Sequence, residues 1–232
     1  MATALTPETE EALLEFLLGF VTPDRRERML EVVELRTDYV RLVLEDIYQP
    51  HNASAVIRSC ECFGINTLHV IENKYRYTLH RDVAMGASKW IHLRRHNEPE
   101  VDNRTACLNE LRTAGYRIVA TSLHPDSVPI EEIPLDKPLA LCFGTEEKGL
   151  SKSLLAAADM TTRIPMYGFT QSFNISVSAA LCLSSLRRRL EKTAIPLQLS
   201  PAQRRQTLLT WARRSIPKID RVEKAFFRAQ GP

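Results

Sequence analysis

Between Tyr39 and Leu190 short apolar runs alternate with longer segments of helical spacing, and that alternation restricts the chain to an α/β fold. The spacing predicts strands over 40–47, 66–72, 90–93, 117–121, 139–143 and 163–166. Helices are predicted over 52–63 and 104–114, each ended by a glycine, after Ser151 as a cap, and over 174–190. Strands that take turns with helices build a mainly parallel sheet covered by helices on both faces.

The flanks read differently. Thr6-Pro7 and Thr22-Pro23 each place a cap before a proline at the first helical position, so residues 1–38 read as a helical extension. Residues 39–192 form the α/β domain. Residues 193–232 form a second helical extension, with Ser200 and Gln203 spaced as a capping box and Ile216-Pro217 as a break. Net charge is +3, yet the stretch from Arg187 onward carries +9, which leaves −6 on the rest. A basic tail on an acidic body points to an anionic partner, and a solvated helix surface is the plainer reading. Arg187, Arg188, Arg204, Arg205, Arg213 and Arg214 are the tail's candidate nucleic-acid contacts, joined by Arg25, Arg26 and Arg28 of the second helix.

Several classes drop out. The apolar run over 12–21 is interrupted by Glu15 and is too short for a membrane span, and the N-terminus lacks a basic leader. Cys60, Cys62, Cys107, Cys142 and Cys182 are scattered and odd in number, as expected of reduced, mostly core cysteines in a cytoplasmic protein. Cys60-Glu-Cys62 has no second ligand pair at zinc spacing, so no metal is expected. No G-x-G-x-x-G follows a strand. Gly144 to Gly149 has P-loop glycine spacing, but the required lysine falls at Leu150, and Glu146 and Glu147 would repel phosphate.

Three strand-to-helix elbows carry the polar residues that remain. The first holds Asn52 and Arg58, expected along roughly one side of a helix, where an amide and a forked cation suit a ribose phosphate. Glu146, on the second, has three readings: orienting Arg58, favouring a cationic ligand, or a plain loop charge. Ser172 and Asn174, on the third, can position a hydroxyl or cap the following helix.

Taken in order, these elbows resemble the SpoU/TrmH branch of the SPOUT RNA ribose methyltransferases. The matching stretches are Asn52-Ala-Ser-Ala-Val-Ile-Arg58, Phe143-Gly-Thr-Glu-Glu-Lys-Gly-Leu-Ser151 and Ile164-Pro-Met-Tyr-Gly-Phe-Thr-Gln-Ser-Phe-Asn-Ile-Ser-Val-Ser-Ala-Ala180, with Met85-Gly-Ala-Ser-Lys-Trp90 between the first two. Phe173 replaces the family's usual leucine and Ser178 an alanine. The resemblance implies a C-terminal deep trefoil knot, a homodimer, and S-adenosylmethionine as methyl donor. By position it gives donor contacts to Thr121, Gly144, Ile164, Met166 and Phe173, and the catalytic set to Asn52, Arg58, Glu146, Ser172 and Asn174. The implied reaction is methylation of a ribose 2′-hydroxyl, with guanosine 18 of the tRNA D-loop favoured because only about 38 residues precede the first strand. An rRNA methyltransferase and a catalytically silent RNA-binding protein of the same fold are the alternatives.

Overall fold

The structure, a computed structural model, describes residues 5–78, 84 and 86–229. Met85 of the 85–90 segment lies outside them. The chain divides into two compact units, residues 37–197 and a helical unit built from residues 1–36 and 198–232.

The first unit is a seven-stranded sheet. Its strands are β1 (Val40–Glu45), β2 (Thr67–Ile71), β3 (His92–His96), β4 (Arg117–Thr121), β5 (Val128–Pro129), β6 (Leu139–Phe143) and β7 (Met160–Arg163). The order is β3-β2-β1-β6-β4-β7-β5, and every pairing is parallel. Alternation along β1 separates the two layers. Val40, Leu42 and Leu44 pack with α3 (Pro50–Cys62) and the C-terminal helix of this unit (Ile175–Leu190). Val43 faces α4 (Asn103–Thr113) and α5 (Lys152–Ala157). The expected α/β fold with both faces covered is therefore present; the C-terminal helix of the unit is α6.

Two strands differ from expectation. The one expected over 90–93 starts later, because Ala87–Lys89 form a 3₁₀ turn entered through Gly86 at φ 81°, and Trp90 closes it by donating to the Ala87 carbonyl. The one expected over 163–166 lies instead over Met160–Arg163 and shares only Arg163 with that range; Pro165 follows closely and has no N–H to continue a ladder. Strand β5 has two residues, too few to leave a period in the sequence.

Four of the five cysteines are buried and Cys62 is exposed. Beneath α4 lies a buried polar group on β2 and β3. His69 Nδ1 is 3.0 Å from His96 Nε2, and the Cys107 sulfur is 3.8 Å from the same Nδ1. These three side chains have metal-ligand chemistry, a grouping that motif spacing did not reveal. At that distance one ring donates to the other, and burial, which lowers the pKa of both histidines, favours a neutral hydrogen-bonded pair.

The helical unit joins α1 (Pro7–Leu18), α2 (Pro23–Glu34), α7 (Pro201–Ser215) and α8 (Ile219–Ala229). Helix α7 packs on α1 and α2, and α8 on α1. Leu13, Leu14, Leu17 and Leu18 meet Leu208, Leu209, Trp211 and Phe226 as the buried interior, and the Arg36 guanidinium lies 5.3 Å over the Trp211 ring. The basic tail thus supplies half of a core.

Two outcomes follow. Burial, aided by Arg41 and His96, holds the His69 pKa down from 6.5 to about 3. His69 is therefore neutral in the fold, while the unfolded chain takes up a proton below about 6.5. Its contribution is fully present above that pH and is lost as pH falls toward 3. Denaturant unfolding should report a loss of about 2 kcal/mol between pH 7.5 and 5, and His69→Asn should flatten that slope. Secondly, deleting residues 200–232 uncovers four leucines of α1 at about 1.5–3 kcal/mol each, as much as a whole domain's stability. Limited proteolysis of the truncated chain should cut within α1 and α2, which stay protected in the full-length protein.

Candidate active site

The parallel strands β1, β4, β6 and β7 end on one side of the sheet, where free backbone N–H groups and helix N-termini gather. The three motif elbows lie there. The loop after β6 folds back on itself: Thr145 donates to the Gly149 carbonyl at 3.1 Å, and Gly149 returns the bond at 2.8 Å. Gly149 sits at φ 65°. A Cβ on Gly144 would lie 2.1 Å from the carbonyl carbon and oxygen of Gly149, so only glycine fits. Glu45, buried at the end of β1, holds the far end of this loop. It accepts from the Ser151 N–H at 2.8 Å and hydroxyl at 2.7 Å, and pairs with Arg104 Nε at 2.6 Å.

A cavity of about 450 Å³ opens between the loops after β4, β6 and β7, a size that suits a small-molecule ligand. All five expected donor residues, Thr121, Gly144, Ile164, Met166 and Phe173, line it, as do Glu146 and Ser172. Thr121 is fixed by a 2.8 Å hydrogen bond to the Cys142 carbonyl. Sequence reading missed Leu123 and His124 in the loop after β4, and Ser178 and Cys182 on α6, which also face the cavity. Ser178 stands inside the third motif only as a departure from it, and the other three lie outside the motifs and reach the cavity through the crossing of separate elements.

Asn174 ties the elbows together. Its Oδ1 caps α6 by accepting from the Ser176 N–H at 2.9 Å and hydroxyl at 2.5 Å. Its Nδ2 donates to Asn52 Oδ1 at 3.1 Å and to Glu146 Oε1. Asn52 in turn donates to Gln49 Oε1 at 2.5 Å. Side chains from the ends of β1, β6 and β7 thereby form one polar chain, and its Glu146 end borders the cavity.

Arg58 stands apart from this chain. The expectation that Asn52 and Arg58 share one side of the helix is incorrect: six residues leave their side chains about 120° apart around the axis. Asn52 is buried and Arg58 exposed, with no ion pair among the described residues. Its fork is open to an anion.

The arginines proposed as nucleic-acid contacts divide in two. Within the helical unit, Arg26 pairs with Glu15, Arg28 with Glu31, Arg204 with Glu34, Arg205 with Glu10 and Arg213 with Glu223. Arg187 pairs with Glu191 on α6. Arg25, Arg188 and Arg214 are exposed, and the last two also make contacts of their own, Arg188 with the Ser184 carbonyl at 3.4 Å. Arg189 donates to the Ile130 and Ile133 carbonyls, so part of the tail's charge holds the chain's own backbone.

Comparison with known proteins converges on one group. The model of the SpoU rRNA Methylase family matches residues 39–184. A tRNA (guanosine(18)-2'-O)-methyltransferase of Borreliella burgdorferi is 42% identical over 207 residues, 89% of this chain and 93% of that protein. The crystal structure of the A. aeolicus TrmH/SpoU tRNA modifying enzyme superposes with a TM-score of 0.74 at 29% identity, covering 89% of this chain and all of that one. An AdoMet-bound rRNA methyltransferase from Sinorhizobium meliloti gives 0.58 at 25% identity, over 69% of this chain and 60% of that one.

The backbone crowding at Gly144 generates a test. Gly144→Ala must displace the turn over 145–149, and Glu146 with it, because backbone atoms cannot rotate aside. Titration calorimetry should report S-adenosylmethionine affinity reduced by about tenfold or more, or about 1.4 kcal/mol. Unchanged affinity would mean that the turn is not a wall of the ligand site.

Proposed function

The chain belongs to the SpoU methylase family, and from that membership we propose that it methylates a ribose 2′-hydroxyl of tRNA, at guanosine 18 of the D-loop. The observation that carries the reading is the double donation of Asn174, to Asn52 and to Glu146, at the rim of a ligand-sized cavity. A protein that only bound RNA would have no need of that cavity.

The cavity suits S-adenosylmethionine, whose sulfonium supplies the methyl group. Ile164, Met166 and Phe173 offer apolar surface for a purine ring, Thr121 and Gly144 bound its polar end, and the Glu146 carboxylate at the edge favours a positive charge. Asn52 and Asn174 fix the acceptor hydroxyl in line with the donor, with Ser172 beside them. For a displacement of this kind, orientation supplies much of the rate. The forked guanidinium of Arg58 is better suited to clamp a phosphate and polarise the hydroxyl than to take its proton.

A deep trefoil knot in the C-terminal half fits the insertion of β6 between β1 and β4 and of β7 between β4 and β5. A homodimer fits the apolar side chains left on the surface at Tyr167, Phe169, Val177 and Leu181. Arg25 and Arg188, exposed and in no ion pair among the described residues, are the expected phosphate contacts. No helix among the described residues is long and apolar enough to cross a membrane, and the proposed place of work is the cytoplasm.

The test is ribose-methylation mapping by mass spectrometry of tRNA and rRNA incubated with the protein and S-adenosylmethionine. We expect one new methyl group, on guanosine 18 of tRNA. Arg58→Ala and Asn174→Ala should each lower turnover by roughly 10²-fold or more, a range usual for groups acting in the transition state, with donor affinity within about twofold. Methylation confined to rRNA would move the protein to the alternative substrate. Full turnover in both variants would leave Arg58 a surface charge and Asn174 only a helix cap.

A further inference from the structure

The polar chain that begins at Glu146 does not stop at Asn52. Gln49 accepts from Asn52 and its Nε2 lies 3.5 Å from the Tyr48 hydroxyl, at the outer end. The Tyr48 ring is 5.4 Å from that of Tyr75, and the residues are 43% and 47% exposed. Two half-bare aromatic rings at the mouth of a polar network are an unusual use of surface, because each would gain by burial elsewhere.

The pair is held in place by a strained device. Asp46, at the end of β1, adopts φ 53°, a left-handed conformation costly for a residue with a side chain. There its Oδ1 accepts from the N–H groups of Asn73 at 2.8 Å, Lys74 at 2.7 Å and Tyr75 at 3.4 Å. One carboxylate oxygen thus draws the loop after β2 against the residue two places before Tyr48. Lys74 and Arg76 flank Tyr75 and are exposed.

We propose that Tyr48 and Tyr75 form a stacking platform for one nucleobase of the substrate RNA beside the acceptor ribose. The inference rests on the RNA-methylation reading and adds to it the place where a base is received. The rings are tilted by 52°, so no parallel slot exists between them and a base must lie on an outer face. A nucleobase is flat and polarisable and its neighbours carry phosphates, which Lys74 and Arg76 meet with the opposite charge. A protein partner of ordinary surface would present neither together. Through Gln49 and Asn52 the platform is joined to Asn174, so a base seated there sets the position of the ribose attached to it.

The experiment measures tRNA KM, kcat and S-adenosylmethionine affinity for the full-length protein and for Tyr48→Ala, Tyr75→Ala, Tyr48→Phe and Tyr75→Phe. A second readout is the fluorescence of a D-loop oligonucleotide carrying 2-aminopurine next to the acceptor guanosine. Each alanine variant should raise the tRNA KM by roughly tenfold and abolish 2-aminopurine quenching, with donor affinity and melting temperature held. The phenylalanine variants keep the ring face and should restore both readouts. Wild-type KM and quenching in the alanine variants would overturn the platform, as would phenylalanine variants as poor as alanine. So would a shift in oligomeric state at unchanged KM, which would mark the rings as an interface between copies. If the unaltered protein methylates neither tRNA nor rRNA, the functional reading falls first and the platform with it. Methylation by the unaltered protein with indifferent variants sinks the platform alone.

Discussion

The parallel hydrogen bonding of β6 to β1 on one side and to β4 on the other is the constraint from which the candidate site follows. Residues distant in sequence share that side of the sheet because β1, β4, β6 and β7 end there together. The loop leaving β6 must turn back at once, which demands Gly144, and its far end is held by Glu45. Glu45 is buried, and its charge is offset by Arg104 and by the Ser151 N–H and hydroxyl. Losing one partner would strand a charge in the interior, at a cost of several kcal/mol. The loop that carries Glu146 is therefore fixed at both ends.

Much of this was legible in the sequence, for identifiable reasons. Helix caps at Thr6, Ser151, Asn174 and Ser200 act within three residues of themselves, and each accepts the backbone bond that its residue type suggests. Alternation along β1 separates the two layers because side-chain direction has a period of two. The five residues that the motifs assign to the donor site all line the cavity, whereas Leu123, His124, Ser178 and Cys182 line it without having been expected there. The relation of Asn52 to Arg58 was misjudged although it needed only helix geometry. Strand β5, the His69–His96 pair and the Tyr48–Tyr75 pair were not legible at all. Each depends on two segments meeting in space, and none leaves a period or a cap behind.

Charge was the most misleading signal. The tail's excess of +9 reads as a surface for an anion, but formal charge counts side chains without regard to their partners. In the helical unit Arg204, Arg205 and Arg213 each meet a glutamate, and Glu10 and Glu34 come from the other end of the chain. Acidic residues of α1 and α2 thus offset basic residues of α7. A cation so paired adds less to a long-range field, and what remains rests on a few exposed groups. The amphipathic pattern of the same helices, with Leu208, Leu209 and Trp211 on one side, was the better guide.

Asn174 explains why capping and chemistry could not be told apart in advance. A cap uses only the side-chain oxygen, which here binds Ser176 at the start of α6. The amide nitrogen keeps two protons, and they go to Asn52 and Glu146. Aspartate would cap equally well and would carry no proton to give, and it would set a second negative charge against Glu146. Serine would cap but has one proton and a shorter reach. An asparagine is the one common cap residue that can hold a helix end while donating twice to groups on other strands. Its two tasks use different atoms of one side chain, so neither compromises the other. The rigidity of α6 is passed directly to the polar chain at the rim of the cavity.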